Sequence, residues 1–201
     1  MGRHQQTITL GGIQIIGTQV SSAMEGDIGI PVTLAAAKEG ALTTRTSDSV
    51  GTLTMDADHG IIQADLIDIY WTGGVRYGVV VGVVNVNSVP ITGGAGDVLP
   101  ADETDITACV QTEVALVVTG DDIGMLAVGS NRRCHADFQA SNDDSLLAVE
   151  IVANGVQAWT DGVSIGVNPL AGDSLHHVAV SNGDSAGSAS LKIGVNYDAV
   201  A

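Results

Sequence analysis

The stretch TMDADHGIIQADLIDIYWTGG, residues 54–74, contains the pattern that decides the fold class. Its first half places aspartates beside His59-Gly60, a combination typical of a turn. In its second half, residues 66–71, apolar side chains occupy every second position, on one face, which is the two-residue period of a half-buried β-strand. The predicted core face of this strand carries three large apolar residues, Ile67, Ile69 and Trp71. We therefore expect a solvated turn that leads into a strand.

The same pattern recurs along the 201 residues. Short runs of Val, Ile, Leu and Thr return about every 8–12 residues, with Gly, Asn, Asp and Ser between them, as in sandwiches and barrels. The chain has 26 Gly and a single Phe, so aliphatic side chains must fill the core. These features predict an all-β protein. The one helical candidate is the short segment AAAKEGAL, residues 35–42.

A cluster of Gly, Pro and acidic residues at 92–104, TGGAGDVLPADET, suggests a domain boundary. We predict a small, Gly-rich, β-barrel-like domain over 1–100 and an acidic β-sandwich of jelly-roll or immunoglobulin-like type over 101–201. Within the second domain, Asn154-Gly155 stands between two apolar runs. That dipeptide is a strong signal for a tight hairpin turn.

The charge balance excludes several classes of partner. The chain has 23 acidic residues against seven Lys and Arg, a formal net charge of -16, and the second half is the more acidic. Such a surface repels phosphate, so neither specific nucleic-acid binding nor binding to an anionic membrane is expected. The N-terminus lacks the apolar segment of a secretory signal, and no apolar run approaches the roughly 20 residues of a membrane span.

The residues of the opening stretch also suggest a metal site. Asp56, Asp58 and Asp65 could form a loose calcium loop, because calcium prefers carboxylate oxygens. The spacing does not fit an EF-hand, however, since position 12 of that loop would be Ile67 instead of Glu. A solvated turn is the favoured interpretation, and no cofactor is predicted.

Two further patterns imitate catalytic or metal sites. The segment GVSIG, residues 162–166, matches the G-x-S-x-G motif, and Asp173 and His176 follow it in hydrolase order. Asn, Pro and Gly follow within a few residues, so the helix that this motif requires cannot begin there. His176-His177 and His135 could bind a transition metal, but adjacent strand residues point to opposite faces. We therefore predict no enzyme activity, and we expect Cys109 and Cys134 to be buried thiols.

Residues 51–100 carry a resemblance to a known group of proteins. The segments DHGIIQADLIDIYW, GGVRYGVVVGVV and NSVPITGGAGDVLPA resemble a small-barrel pattern of bacteriophage virion proteins. The resemblance implies a structural subunit of the tail tube, the connector or the head decoration, made in the host cytoplasm and carried in the virion. An acidic subunit suits a tail tube, because an acidic lumen repels DNA phosphate.

The resulting functional prediction is a self-assembling structural subunit whose partners are its own copies and other virion proteins. Edge strands invite pairing, so TITLGGIQII and SASLKIGVNY are plausible contributors to a homo-oligomer. The predicted contact residues are Arg132, Arg133, Ile13, Ile15, Leu191 and Ile193. The alternative is a β-sandwich carbohydrate-binding or adhesion module, which calcium could assist. Trp71 and Trp159 would be its sugar platforms, although core packing is the favoured role for both.

Overall fold

The computed structural model describes residues 4–10, 13–19, 26–116, 123–141, 144–160, 167–171 and 175–197, with side chains from residue 28 onward. Every helix or strand in this part of the chain is a β-strand, which confirms the all-β prediction. The strands are β1 (His4–Leu10), β2 (Ile13–Gln19), β3 (Gly26–Leu34), β4 (Lys38–Arg45), β5 (Val50–Met55), β6 (Leu66–Trp71), β7 (Gly74–Val81), β8 (Ser88–Gly96), β9 (Thr104–Val110), β10 (Thr112–Ala115), β11 (Ile123–Ser130), β12 (Cys134–Ala140), β13 (Ser145–Ile151), β14 (Val156–Thr160), β15 (Leu175–Asn182) and β16 (Ala189–Tyr197). Among the described residues, no helix has the length and apolarity needed to cross a membrane.

The chain divides into two compact units, whose bounds differ from the predicted 1–100 and 101–201. The barrel unit consists of Leu34–Thr112 with Ser181–Ser188. The sandwich unit consists of Met1–Thr33 with Glu113–Val180 and Ala189–Ala201. The barrel extends past residue 100 because β9 pairs with both β4 and β6 and thereby closes it. The sandwich begins before the barrel because β3 lies beside β16.

The barrel unit is a closed six-stranded barrel with the order β4-β5-β8-β7-β6-β9. Strands β6, β7 and β8 follow one another as antiparallel neighbours, and β9 returns to pair with β6, which is a Greek-key connection. Aliphatic side chains fill the interior, as the composition predicted. This core consists of Leu42, Leu53, Met55, Ile61, Ile67, Ile69, Val79, Val81, Val89, Ile91, Leu99, Ile106 and Ala108.

The burial of strand β6 agrees with the prediction for its core face but not for its opposite face. Ile67 and Ile69 lie in the barrel core, and Trp71 packs against it. The opposite face is only partly solvated, however, because Asp68 and Tyr70 are buried, whereas Leu66 is exposed. The alternation therefore identified the core face correctly, but it did not show that the polar face is partly covered.

The sandwich unit has the strand order of a jelly roll. One sheet has the order β10-β15-β12-β13 and the other has the order β14-β11-β16-β3. Successive strands alternate between the two sheets, except for β12 and β13, which pair directly. An immunoglobulin-like sandwich instead keeps its first two strands in one sheet. Phe138 on β12 meets Trp159 on β14 at a ring-centroid distance of 4.9 Å, so the two sheets pack face to face.

Two local predictions change in the tertiary structure. The Asn154-Gly155 turn is present, with Asn154 in the left-handed region and a hydrogen bond from Gly155 N to Val152 O. It does not make a hairpin, because β13 and β14 belong to different sheets. The helical candidate at 35–42 is instead a loop followed by β4, which pairs with β5 on one side and β9 on the other.

Candidate functional site

The three aspartates of the possible calcium loop have separate local roles. The backbone N of Asp56 donates to Glu39 O at 3.0 Å, and Asp58 adopts a positive φ of 61° within the turn. The carboxylate of Asp65 accepts a hydrogen bond from Ile62 N at 2.8 Å. The described residues contain no group of three or more His, Cys, Asp or Glu side chains that could hold a metal ion. These aspartates therefore shape the loop between β5 and β6.

His59 ties this loop to the next turn of the barrel. Its Nδ1 accepts a hydrogen bond from Ile61 N at 3.0 Å, and its Nε2 lies 3.0 Å from Val86 O. With Nδ1 as the acceptor, Nε2 carries the proton and donates to the carbonyl. The imidazole therefore fixes the β5–β6 loop against the β7–β8 turn.

The buried carboxylate of Asp68 is the centre of a hydrogen-bond network that the sequence did not reveal. Its Oδ1 accepts from Gly78 N and from Gln111 Nε2, both at 2.8 Å, and its Oδ2 accepts from Ser181 Oγ at 2.5 Å. A break in the β6–β7 register beside Asp68 and the positive φ of Gly78 form a bulge that directs the Gly78 N–H at the carboxylate. A buried charge requires such partners, so Asp68 joins three separate segments of the barrel unit.

Tyr70, Tyr77 and Cys109 lie beside this network. Burial raises the pKa of the Tyr70 hydroxyl far above its ordinary value, and Cys109 and Asp68 raise that pKa further. The Cys109 thiol donates to the backbone carbonyl of Asp68 at 3.6 Å. The ring of Tyr70 packs so closely on Gly183 that a Cβ there would lie 2.9 Å from Cζ. The cluster therefore depends on a glycine more than a hundred residues away in the sequence.

A small cavity borders the same cluster within the barrel unit. It has a volume of about 140 Å³, and Cys109, Lys38, His59 and Asn182 contribute to its lining. Asn182 Nδ2 donates to Ala35 O and to Gly187 O, both at 2.9 Å. The carboxylate of Asp68 receives hydrogen bonds from Gly78, Gln111 and Ser181, so it fixes these chain segments to one another.

One end of the barrel exposes large apolar side chains, and we call it the apolar end. Strand β6 begins there, beside the last residues of β7 and β9, and the His59–Val86 hydrogen bond joins its two loops. It contains six of the nine large apolar residues that are exposed in the described part of the chain. They are Ile62, Leu66, Val80, Val83, Val86 and Val110.

Val86 is the most exposed of these residues and has an unusual backbone. Its side chain is 82% exposed, and its φ is 51°. The flanking residues Asn85 and Ser88 exchange two backbone hydrogen bonds, so Val86 is the first central residue of a tight two-residue turn. Gly, Asn or Asp normally occupies such positions, and a β-branched residue there is a genuine outlier.

The sandwich unit has an open groove of about 420 Å³, which we call the jelly-roll groove. Its lining combines amide and hydroxyl groups with a few apolar side chains and one lysine. The lining residues are Pro31, Gly129, Ser130, Asn131, Asn154, Gly155, Val156, Ser190, Leu191 and Lys192. Asn131 Oδ1 accepts a hydrogen bond from Ser190 N at 2.7 Å, which fixes the amide at the groove wall.

The predicted contact residues have different positions in the structure. Leu191 and Ile193 are 1% and 0% exposed, so their predicted role as surface contacts is wrong. Their strand β16 lies between β11 and β3 and is not an edge strand. Arg132 and Arg133 follow Asn131 of the groove wall, and Arg133 pairs with Glu150 at 2.6 Å. Ile13 and Ile15 lie on β2, which pairs with β1, and their side chains are outside the described part.

The structure describes the three histidines of the predicted metal-binding pattern but not the hydrolase segment. His177 is buried with its Nε2 2.8 Å from Gln139 Oε1, whereas His176 is exposed, as the alternation predicted. His135 is buried on β12. The GVSIG segment and Asp173 lie outside the described residues. Cys109 and Cys134 are buried thiols, which confirms their predicted environment.

Both tryptophans serve the cores, as favoured from the sequence. Trp71 packs against the barrel core, and Trp159 packs on Phe138 in the sandwich. Neither residue is part of the jelly-roll groove.

Comparison with protein-family models, curated proteins and solved structures gave no match for this chain.

Three elements of the candidate sites were not predicted from the sequence. Ser181 as a partner of Asp68 had no sequence signal, because 113 residues separate the two. Lys192 as a groove residue depends on how β16 packs in its sheet. Val86 could have been found, since an apolar residue in the polar turn Asn85–Ser88 departs from ordinary turn chemistry.

Proposed function

We propose that this protein is a non-enzymatic, self-assembling structural subunit of a virus particle. The observation that carries the proposal is the concentration of exposed aliphatic side chains at the apolar end. Contiguous exposed apolar surface on a soluble domain marks a site of protein–protein contact. Other copies of the chain and other virion proteins are the proposed partners, with no specific nucleic-acid or membrane binding.

The architecture supports a virion role at the level of fold analogy. Jelly rolls are common in viral capsid proteins, although they also occur in lectins. The segment that resembles bacteriophage virion proteins, residues 51–100, contains most of β5 and all of β6, β7 and β8, which are consecutive strands of the barrel. The proposed location is the tail tube, the connector or the head decoration, after synthesis in the host cytoplasm.

The net charge of -16 favours the tail tube among these locations. An acidic inner wall repels the phosphate backbone and lets DNA pass. On this proposal, the acidic residues serve the assembled tube and do not bind a ligand.

Light scattering after size exclusion tests the assembly, with negative-stain imaging of the heaviest species. We expect masses that are multiples of the 20.3 kDa chain, together with rings or tubes. Calcium and EDTA should leave the distribution unchanged. A monomer at every accessible concentration would contradict the proposed function.

A carbohydrate-binding module is the second candidate, and the jelly-roll groove favours it. The groove volume of about 420 Å³ is within the usual range for small-molecule sites, and its Asn and Ser side chains can bond sugar hydroxyls. Binding of labelled glycans to the wild-type protein, with Asn131→Ala as the matched variant, tests this candidate. Saturable binding that the variant loses, by a protein that stays monomeric, would favour the module over the structural subunit.

A further inference from the structure

We propose that the apolar end of one copy docks into the jelly-roll groove of the next copy, in a head-to-tail contact. This inference rests on the proposed function and names the partner and the two surfaces. The two surfaces belong to different units of the chain, so the contact is heterologous. Repetition of a heterologous contact gives a closed ring or an open filament.

The backbone at Val86 indicates that the side chain of this residue serves something other than the fold. A β-branched side chain at a positive φ is strained, and strained backbone is concentrated at functional sites. The side chain of Val86 is almost entirely in solvent, so its packing within the chain does not offset that strain. Ile62 and Val83, at 65% and 68% exposed, extend the apolar surface around it. A partner surface would bury all three.

Charge complementarity identifies the jelly-roll groove of a second copy as the occupant. Four acids flank the apolar end, Glu39, Asp56, Asp58 and Asp65, against one lysine, Lys38. The groove contains Lys192, and Arg132 and Arg133 continue directly from its wall. Lys192 is therefore the cation of the groove lining, with Arg132 and Arg133 next to its wall in the sequence and Arg133 paired with Glu150, in a protein whose net charge is -16.

The groove also offers suitable chemistry for aliphatic side chains. Pro31 and Val156 contribute apolar surface to the lining, together with the polar side chains of Asn131 and Asn154. An apolar centre with a polar rim is the usual composition of a protein interface. The exposed valines of the apolar end would contact Pro31 and Val156, and the acids beside them would meet Lys192.

Complementary variants test the contact with the full chain. Val86→Asp and Ile62→Asp place a charge on the apolar end at exposed positions, and Val98→Asp is the matched control, since Val98 is exposed but lies outside the apolar end. Lys192→Glu reverses the charge in the groove. Ser190→Trp, at an exposed groove residue, replaces Lys192→Glu if thermal melting shows that the latter is not folded.

We expect the wild-type protein and Val98→Asp to assemble equally, and the apolar-end and groove variants to associate at least about tenfold more weakly. Mixing Val86→Asp with Lys192→Glu should give a dimer of twice 20.3 kDa and nothing larger, because each pair retains one intact apolar end and one intact groove. Higher salt should weaken this mixed dimer.

The contrary outcomes separate this inference from the proposed function. If the wild-type protein assembles but the mixed variants remain monomeric, or if Val86→Asp assembles normally, the head-to-tail contact is wrong and the structural role stands. If the wild-type protein is monomeric at every concentration, both are wrong.

Discussion

The two ends of the barrel differ in their hydrogen bonding and in how much apolar side-chain surface they expose. At one end, Arg76 donates to the carbonyls of Gly93, Gly94 and Asp97 at 2.6 to 2.8 Å, and Arg45 pairs with Asp48. At the other end, valines and Ile62 face solvent around the strained turn at Val86. The first end is completed by contacts within the chain. The second end keeps surface that the fold does not use, which is the physical basis for proposing it as a contact.

The barrel wall between these ends contains Asp68, whose replacement is the most sensitive test of what stabilises the fold. Asp68→Ala should lower the free energy of unfolding by about 4 kcal/mol, because it leaves the buried Ser181 hydroxyl and two partly buried donors, Gly78 N and Gln111 Nε2, without their acceptor. Chemical denaturation measures this loss. Asp68→Asn keeps an acceptor oxygen and should lose less. Equal losses for the two variants would show that the charge, and not the hydrogen bonding, matters.

Removal of Arg76 should break the hydrogen-bonded end. Arg76→Ala should cost about 3 kcal/mol of unfolding free energy, since hydrogen bonds from a buried charged group are worth about 1.5–3 kcal/mol each and water can replace part of them. Arg76→Lys, which cannot reach three carbonyls with one planar group, should recover only part of this loss. A change below about 0.5 kcal/mol, the usual range for surface substitutions, would remove the distinction between the two ends.

The raised pKa of Tyr70 predicts how the stability of the folded protein changes at alkaline pH. Because burial raises the pKa of Tyr70, the folded protein keeps the phenolic proton that the unfolded chain loses above about pH 10. This contribution to stability is fully present below about pH 10 and is lost as the pH rises further. The unfolding free energy of the wild-type protein should therefore fall more steeply than that of Tyr70→Phe, by up to about 1.4 kcal/mol per pH unit. Parallel curves between pH 9 and 11.5 would show that Tyr70 does not contribute.

Val86 should show the opposite sign from the residues of the hydrogen-bonded end. Val86→Asn should raise the unfolding free energy by about 1 kcal/mol, because Asn tolerates a positive φ and the exposed valine contributes little packing. Thermal melting should register an increase of about 2–4 °C. Val98→Asn, at an exposed residue for which no positive φ occurs, should leave stability unchanged. A destabilised Val86→Asn variant would mean that the valine serves the fold after all.

Local patterns in the sequence were sufficient for part of this structure. The two-residue alternation identified β6 and its core face at Ile67 and Ile69, because side chains of a strand must alternate whatever surrounds them. Turn chemistry likewise identified Asn154-Gly155. The helical candidate at 35–42 was wrong because pairing with β5 and β9 outweighs the modest helix propensity of Ala, Lys and Glu.

The sequence by itself determined an all-β chain with a barrel and a sandwich, an acidic surface and the apolar content of the cores. Only the tertiary structure decided that the barrel is inserted between β3 and β10, and that β16 is central in its sheet. It also decided that Asp68 meets Ser181 and that Lys192 lines a groove with Asn131. The physical reason is that alternation and turn signals act between near neighbours, whereas strand pairing and buried hydrogen bonds join residues that the sequence keeps far apart.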